Sequence, residues 1–74
     1  MEIYLTKKNC GKFIKKTLTY NEPILVNNNS NAKSLFTIMS LSLPNIFDVK
    51  ILTDDIHIHE KFNKDMEEFI YERN

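Results

Sequence analysis

The stretch Phe47-Asp48-Val49-Lys50-Ile51 carries the clearest secondary-structure signal in this sequence of 74 residues. Apolar and polar residues alternate along it, which is the pattern of a strand with one buried face. On its C-terminal side, apolar residues recur at the spacing of one helical face, at Phe62, Met66, Phe69 and Ile70. The sequence therefore predicts a half-buried strand followed by an amphipathic helix whose acidic residues face outward.

Three shorter segments precede that strand. Glu2–Thr6 alternates polar and apolar residues and predicts a first strand. Lys12–Thr19 fits a helix better than a strand, because a helix gathers its apolar side chains, Leu18 included, on one face. Pro23–Val26 predicts a second strand, and Asn27-Asn28-Asn29 predicts a turn after which a short strand is expected. These segments supply the remaining strands of a small sheet.

A second short helix is predicted between this turn and the Phe47 strand. Ser34 is its candidate N-cap, and Pro44 ends it. The elements then follow the order strand, helix, strand pair, helix, strand, helix. That order predicts an α+β fold, a single open-faced β-sandwich domain over residues 1–74, with a small antiparallel sheet covered by helices on one face.

The composition argues against several classes of protein. Ten basic and ten acidic side chains give a formal net charge of zero, which disfavours a constitutively basic nucleic-acid binder. The longest apolar-leaning stretch, Leu35–Leu43, is too short to cross a membrane, and the N-terminus lacks the pattern of a signal peptide. We therefore expect a cytoplasmic protein that has neither nucleic-acid nor membrane partners and that needs no cofactor.

The charged residues are unevenly distributed along the chain. Residues 1–16 contain five lysines against one acidic residue, whereas residues 54–72 contain seven acidic residues against two lysines. Two interpretations remain open. Both blocks are solvated faces, or the first is a basic docking face for an acidic partner and the acidic helix points elsewhere.

Cys10, His57 and His59 are the residues with the strongest intrinsic chemistry. A single cysteine cannot form an intramolecular disulfide, and no histidine lies near Cys10 in sequence, which favours an exposed, unreactive thiol over a nucleophile. On a strand, His57 and His59 would share one face and could ligate a metal with a neighbouring carboxylate, but the pair lacks a third fixed ligand. We therefore predict no metal site and place both histidines in solvent at the start of the terminal helix.

The run from Ala32 to Leu43, AKSLFTIMSLSL, resembles the regulatory-serine segment of HPr, the small phosphocarrier family of the bacterial sugar phosphotransferase system. The likeness continues through Val49-Lys50-Ile51 and Asp54 into the terminal helix. Three upstream segments are similar to the family's first strand, first helix and second strand, in that order: Ile3–Thr6, Phe13-Ile14-Lys15 and Ile24-Leu25-Val26. The resemblance implies an HPr-like fold over most of the chain.

The chain departs from HPr at the family's phosphoacceptor. HPr proteins carry a Gly-x-His-x-Arg-Pro-Ala segment between the first strand and the first helix, and its histidine accepts a phosphoryl group. Here the chain reads Asn9-Cys10-Gly11-Lys12-Phe13, without histidine, arginine or proline. We therefore predict no catalytic residue and no histidine phosphotransfer.

The resemblance implies a non-catalytic interaction or regulatory protein that binds partners of the phosphotransferase system, namely Enzyme I, HPr kinase or sugar permease subunits. Ser34 aligns with the serine that a dedicated kinase phosphorylates in many HPr proteins, so it is the candidate site of regulatory phosphorylation; its alternative role is that of a plain N-cap. Leu35 and Phe36 resemble the family's apolar docking patch, although in so short a helix some apolar side chains must be core. The predicted partner-binding residues are Lys12, Lys15, Lys16, Lys33, Leu35, Phe36 and Met39.

Two other functions remain open at the level of sequence. In one, phosphorylation of Ser34 alone switches the protein, as in the histidine-lacking HPr-like regulators of catabolite repression. In the other, the chain is a small phage-type inhibitor from a mobile element and acts on an unrelated host protein. The fold is the same in all three cases, so the surface must distinguish them.

Overall fold

The computed structural model describes residues 1–71, in which it contains four strands and three α-helices. The strands are β1 (Glu2–Leu5), β2 (Ile24–Val26), β3 (Ser30–Asn31) and β4 (Asn45–Ile51). The helices are α1 (Cys10–Thr17), α2 (Leu35–Ser40) and α3 (Ile56–Met66), and a 3₁₀ turn, Glu67–Phe69, follows α3. The predicted order of elements is confirmed.

The four strands form one antiparallel sheet in the order β1-β4-β2-β3, so the longest strand, β4, lies in its interior. Ile3 of β1 pairs with Phe47 of β4, and both side chains are buried. Val26 of β2 pairs with Val49 on the same buried face. The opposite face, which includes Tyr4, is open to solvent. The structure therefore has the predicted α+β architecture of an open-faced sandwich.

The first helix begins at Cys10, two residues earlier than predicted, because a tight turn over residues 6–9 follows β1 directly. The Asn9 side chain accepts a hydrogen bond from the Thr6 backbone N–H at 2.6 Å and donates one to the Tyr4 carbonyl, so it stabilises the turn rather than capping the helix. Cys10 is only 7% exposed, which shows that the prediction of an exposed cysteine is wrong.

The second helix is short and is attached to the core mainly by one side chain. The Ser34 hydroxyl accepts a hydrogen bond from the Thr37 N–H at 3.2 Å, which confirms the predicted N-cap. The helix ends at Ser40 rather than next to Pro44, because the backbone is already extended at Leu41. Ile38 is the buried residue of α2. The other large apolar side chains of this helix lie outside the core.

The segment after α3 turns back along the edge of the sheet. The predicted inner residues Phe62, Met66 and Phe69 are buried. Ile70 is exposed, which corrects its predicted place on the inner helical face, because the chain has left the helix there and bridges to Ile3 of β1. The Tyr71 N–H continues this pairing by donating to the Glu2 carbonyl at 3.1 Å. The edge of β1 is therefore partly covered by the chain itself.

The core lies between the buried face of the sheet and the helices. Phe13 of α1 meets Phe69 edge-on, with ring centroids 5.6 Å apart, and Tyr20 meets Phe62 of α3 in the same manner. Such aromatic pairs stabilise packing beyond the area that they bury. They fix α1 against α3 and the 3₁₀ turn. Within residues 1–71, no helix combines the length and apolar character needed to span a membrane.

Candidate protein-interaction surface

The predicted partner-binding residues lie mainly on α1 and α2, which are antiparallel neighbours. At one end of the pair, the Thr17 hydroxyl of α1 lies 3.4 Å from the Ala32 carbonyl, shortly before α2 begins. At the other end, Cys10 at the start of α1 and Met39 near the end of α2 line one pocket. The lysines of α1 and the apolar side chains of α2 therefore belong to adjacent helices.

The second helix projects three large apolar side chains into solvent. Phe36 is 90% exposed, Met39 is 63% exposed, and Leu35 is about half exposed. We call these three residues the α2 patch. Core packing was the alternative role of Leu35 and Phe36, and their exposure shows that it is wrong for both. Clusters of exposed apolar side chains in soluble proteins often mark sites of interaction.

Leu18 is a further exposed apolar residue that sequence reasoning placed on the inner face of α1. It caps the C-terminal end of this helix and is 60% exposed. Successive helical residues are about 100° apart, so Leu18 lies about 40° beyond the buried Ile14 and at the edge of the inner face. This offset could have indicated from the sequence that Leu18 is exposed. Leu18 shares one flank of α1 with Gly11 and Lys15, at the i, i+4, i+7 spacing of a helical row.

The remaining lysines of α1 project from the opposite flank, where they meet the acidic end of the chain. The Lys12 and Lys16 ammonium groups lie 3.0 and 2.8 Å from the carboxylate of Glu68. The hydrogen bonds from Lys16 and Lys12 lower the pKa of Glu68 below its usual value. The Lys16 ammonium also donates to the Asp65 carbonyl at 3.2 Å. Of the two interpretations of the charge distribution, the one in which the acidic segment points away from the basic one is therefore wrong at this contact.

Lys15 and Lys33 differ from that pair. Lys15 is exposed on the flank of α1 nearer α2, and within residues 1–71 it forms no ion pair. The Lys33 ammonium donates to the Tyr20 carbonyl, so this side chain ties the start of α2 to the segment after α1. Of the predicted basic residues, Lys15 is thus the one that is exposed, lies on the flank of α1 away from Glu68 and forms no ion pair within residues 1–71.

A hydrogen-bonded tyrosine holds the C-terminal end of α1 against α3. The Tyr20 hydroxyl donates to the Asp65 carboxylate at 2.5 Å, and the Lys61 ammonium lies 4.3 Å from the centre of the Tyr20 ring. Burial and the Asp65 carboxylate raise the pKa of Tyr20, and the bond from Tyr20 lowers the pKa of Asp65. This cluster stabilises the packing of α1 against α3. It involves no residue of the α2 patch.

A pocket of about 240 Å³ lies where α1 begins and α2 ends. Its lining consists of Lys7, Cys10, Met39, Leu41 and Leu43. The Cys10 thiol lies within the fold and makes a long contact of 3.6 Å to the Lys7 carbonyl. Met39 belongs both to the pocket and to the α2 patch, so the two features are continuous.

The two histidines lie on α3 and not on a strand, which removes the basis for a shared metal-binding face. His57 is exposed, and the His59 ring nitrogen Nε2 donates to the Thr53 carbonyl at 2.6 Å. Residues two apart on a helix point in different directions. In the described part of the chain, no group of three or more histidine, cysteine or acidic side chains is arranged to hold a metal ion.

No protein-family model, curated protein or solved structure matches this chain. The candidate surface therefore rests on the geometry of α1 and α2. The resemblance carried by the Ala32–Leu43 run remains an expectation drawn from sequence.

Proposed function

We propose that this chain is a non-catalytic HPr-like interaction protein that binds partners of the bacterial sugar phosphotransferase system and acts as a regulator or decoy. The observation that carries the proposal is the exposure of the whole α2 patch on a helix whose cap and core contact are already complete. Three large apolar side chains are exposed to water, and a partner that covers them would gain the free energy of burying their apolar area.

Two further features support the proposal. β1 is antiparallel to β4 and the helices cover one face of the sheet, as the resemblance to HPr implies. The turn over residues 6–9 connects β1 directly to α1, at the place where HPr carries its phosphoacceptor histidine. A protein that kept the docking helix and lacked the acceptor would compete with HPr without passing on a phosphoryl group.

The test is direct binding to purified Enzyme I, HPr kinase and a sugar permease subunit from a low-GC bacterium, measured by calorimetry. We expect at least one of them to bind the wild-type chain, and we expect Leu35→Asp/Phe36→Asp to weaken that binding tenfold or more, since about 1.4 kcal/mol corresponds to tenfold. Ile56→Asp is the matched control, because Ile56 is 64% exposed and belongs to α3 rather than to α1 or α2. Binding that the double variant retains in full would contradict the proposed surface.

A second candidate function is a switch operated by phosphorylation of Ser34. It is favoured by the position of this hydroxyl, which is half-buried and caps α2 immediately beside the α2 patch. HPr kinase, ATP and mass spectrometry test it, with Ser34→Ala as the control for the modified site. A switch requires phosphate on Ser34 before any partner binds, whereas a decoy binds unmodified. Capture of a host protein outside the phosphotransferase system would instead favour the phage-type inhibitor.

A further inference from the structure

We infer that the surface between α1 and α2, here called the groove, receives an acidic protein segment that inserts one large apolar side chain into the pocket lined by Met39. The inference rests on the proposed function in taking this side of the molecule as the docking side. It adds the chemistry of the partner and the point of anchorage.

The size of the pocket favours a side chain over a metabolite. Its volume of about 240 Å³ lies below the roughly 300 to 1,000 Å³ of typical small-molecule sites, and it suits one leucine or phenylalanine side chain. Its lining is mostly aliphatic, from Met39, Leu41 and Leu43. Anchors of this kind, seated in a desolvated pocket at the centre of a contact, carry much of the free energy of protein association.

The charge around the groove selects an acidic partner. Lys7 lines the pocket, Lys8 is the next residue in the chain, and Lys15 belongs to α1. Within residues 1–71, none of these three lysines forms an ion pair. By contrast, the charges of Lys12 and Lys16 are compensated by Glu68 on the far flank. Lys7 thus carries an uncompensated charge at the pocket itself, and Lys15 carries one on the flank of α1 that does not meet Glu68, so both would attract an acidic segment.

The contour of α1 leaves room for such a segment. Gly11 belongs to the same helical row as Lys15 and Leu18, and a Cβ built at Gly11 meets no atom of the described residues within 4 Å. The surface of α1 is therefore open at Gly11, the residue next to Cys10 of the pocket lining. Leu18 after α1 and Phe36 near the start of α2 add further exposed apolar area on these two helices.

The probe that tests the inference is a helical peptide built from alanine and glutamate with a single central leucine. One matched peptide replaces the leucine by alanine, and another replaces the glutamates by lysine. Each is titrated into the isotope-labelled chain, and the amide resonances are followed by NMR.

We expect the acidic leucine peptide to shift the resonances of Lys7, Cys10 and Leu43 in a saturable way. Its affinity should be about tenfold higher than that of the alanine peptide, because burial of one leucine side chain accounts for that factor. The lysine peptide should not bind.

Two variants of the chain locate the anchor. Met39→Asp should weaken the leucine peptide about tenfold, whereas the equally exposed control Ile56→Asp should leave it unchanged. Cys10→Leu should fill the pocket and abolish the difference between the leucine and alanine peptides. If circular dichroism shows that Cys10→Leu does not fold, the Met39→Asp variant still tests whether the leucine side chain binds in the pocket.

Several results would overturn the inference. They are the absence of saturable shifts at the pocket, equal affinity for the leucine and alanine peptides, or concentration-dependent self-association that covers the α2 patch. Failure of the proposed function is recognised separately. If the leucine peptide occupies the pocket but no phosphotransferase-system protein binds, the function is wrong and the inference stands. If such a protein binds wild type and Met39→Asp equally but not Leu35→Asp/Phe36→Asp, the function stands and the anchor is wrong.

Discussion

No local structural feature explains why residue 11 is a glycine. It is the single glycine of the chain and lies in the first turn of α1, where glycine is less favourable than alanine. Its φ is not positive, and a Cβ there would meet no atom of the described residues within 4 Å. Neither the backbone conformation nor crowding within the chain requires glycine at this position, and the residue borders the proposed groove.

We predict that Gly11→Ala stabilises the fold by about 0.5 to 1 kcal/mol, because alanine restricts the unfolded chain and enters the helix without strain. Urea denaturation followed by circular dichroism measures the effect, which should appear as a higher midpoint with an unchanged slope. A lower midpoint would contradict the open space found at Gly11.

At the scale of elements, α1 has two flanks with different roles. Lys12 and Lys16 connect it to the 3₁₀ turn through Glu68, whereas Lys15 lies on the flank towards α2. Tyr20, just after the helix, bonds Asp65 near the end of α3. The flank towards α3 is therefore structural, and the flank towards α2 remains available for a partner.

We predict that Glu68→Gln strengthens binding of the acidic leucine peptide by about two- to threefold at low salt, because it releases the charges of Lys12 and Lys16. Fluorescence anisotropy at two salt concentrations measures the change, which should vanish at high salt. Lys15→Glu serves as the opposite variant and should weaken the same peptide. If neither variant alters affinity at low salt, electrostatic attraction plays no part in docking.

The bond between Tyr20 and Asp65 predicts how stability depends on pH. The folded state raises the pKa of Tyr20 above its ordinary 10.0, so this contribution is present below pH 10 and is lost as the pH rises beyond it. The folded state lowers the pKa of Asp65 below its ordinary 3.8, so that contribution is present at neutral pH and is lost as the pH falls below that value.

We therefore predict that Tyr20→Phe lowers stability by about 1 to 2 kcal/mol at neutral pH, and that the gap to wild type narrows at both extremes of pH. Urea denaturation midpoints of both proteins across the pH range measure this difference in stability. Tyr4→Phe, on the open face of the sheet, is the control variant. A gap that stays constant from pH 3 to pH 11 would show that the Tyr20 bond is not coupled to these titrations.

At the scale of the whole molecule, local patterns predicted the elements, and tertiary contacts determined the surface. The alternation in Phe47–Ile51 and the Ser34 cap depend on neighbouring residues, so both were correctly read from sequence. Burial of Cys10 and exposure of Ile70 depend on where the chain turns, at residues 6–9 and after Met66. Sequence spacing does not encode those turns.

The candidate site was predicted in composition but not in arrangement. The lysines of α1 were expected to act together, yet their helical positions divide them between two flanks, and Glu68 compensates two of them. The distance in sequence between Glu68 and the two lysines does not predict this contact, because the contact forms only when α3 packs against α1. The pocket likewise requires α1 and α2 to be adjacent.

The most direct test of the central claim is phosphoryl flow through a reconstituted phosphotransferase system. Enzyme I, HPr and a sugar permease are combined with phosphoenolpyruvate, and sugar phosphorylation is followed while this chain is added in excess over HPr. The account predicts that wild type and Ile56→Asp slow the flow and that Leu35→Asp/Phe36→Asp does not. Flow that is unchanged by the wild-type chain would contradict a decoy that competes with HPr, and flow slowed equally by the double variant would contradict the α2 patch as its docking surface.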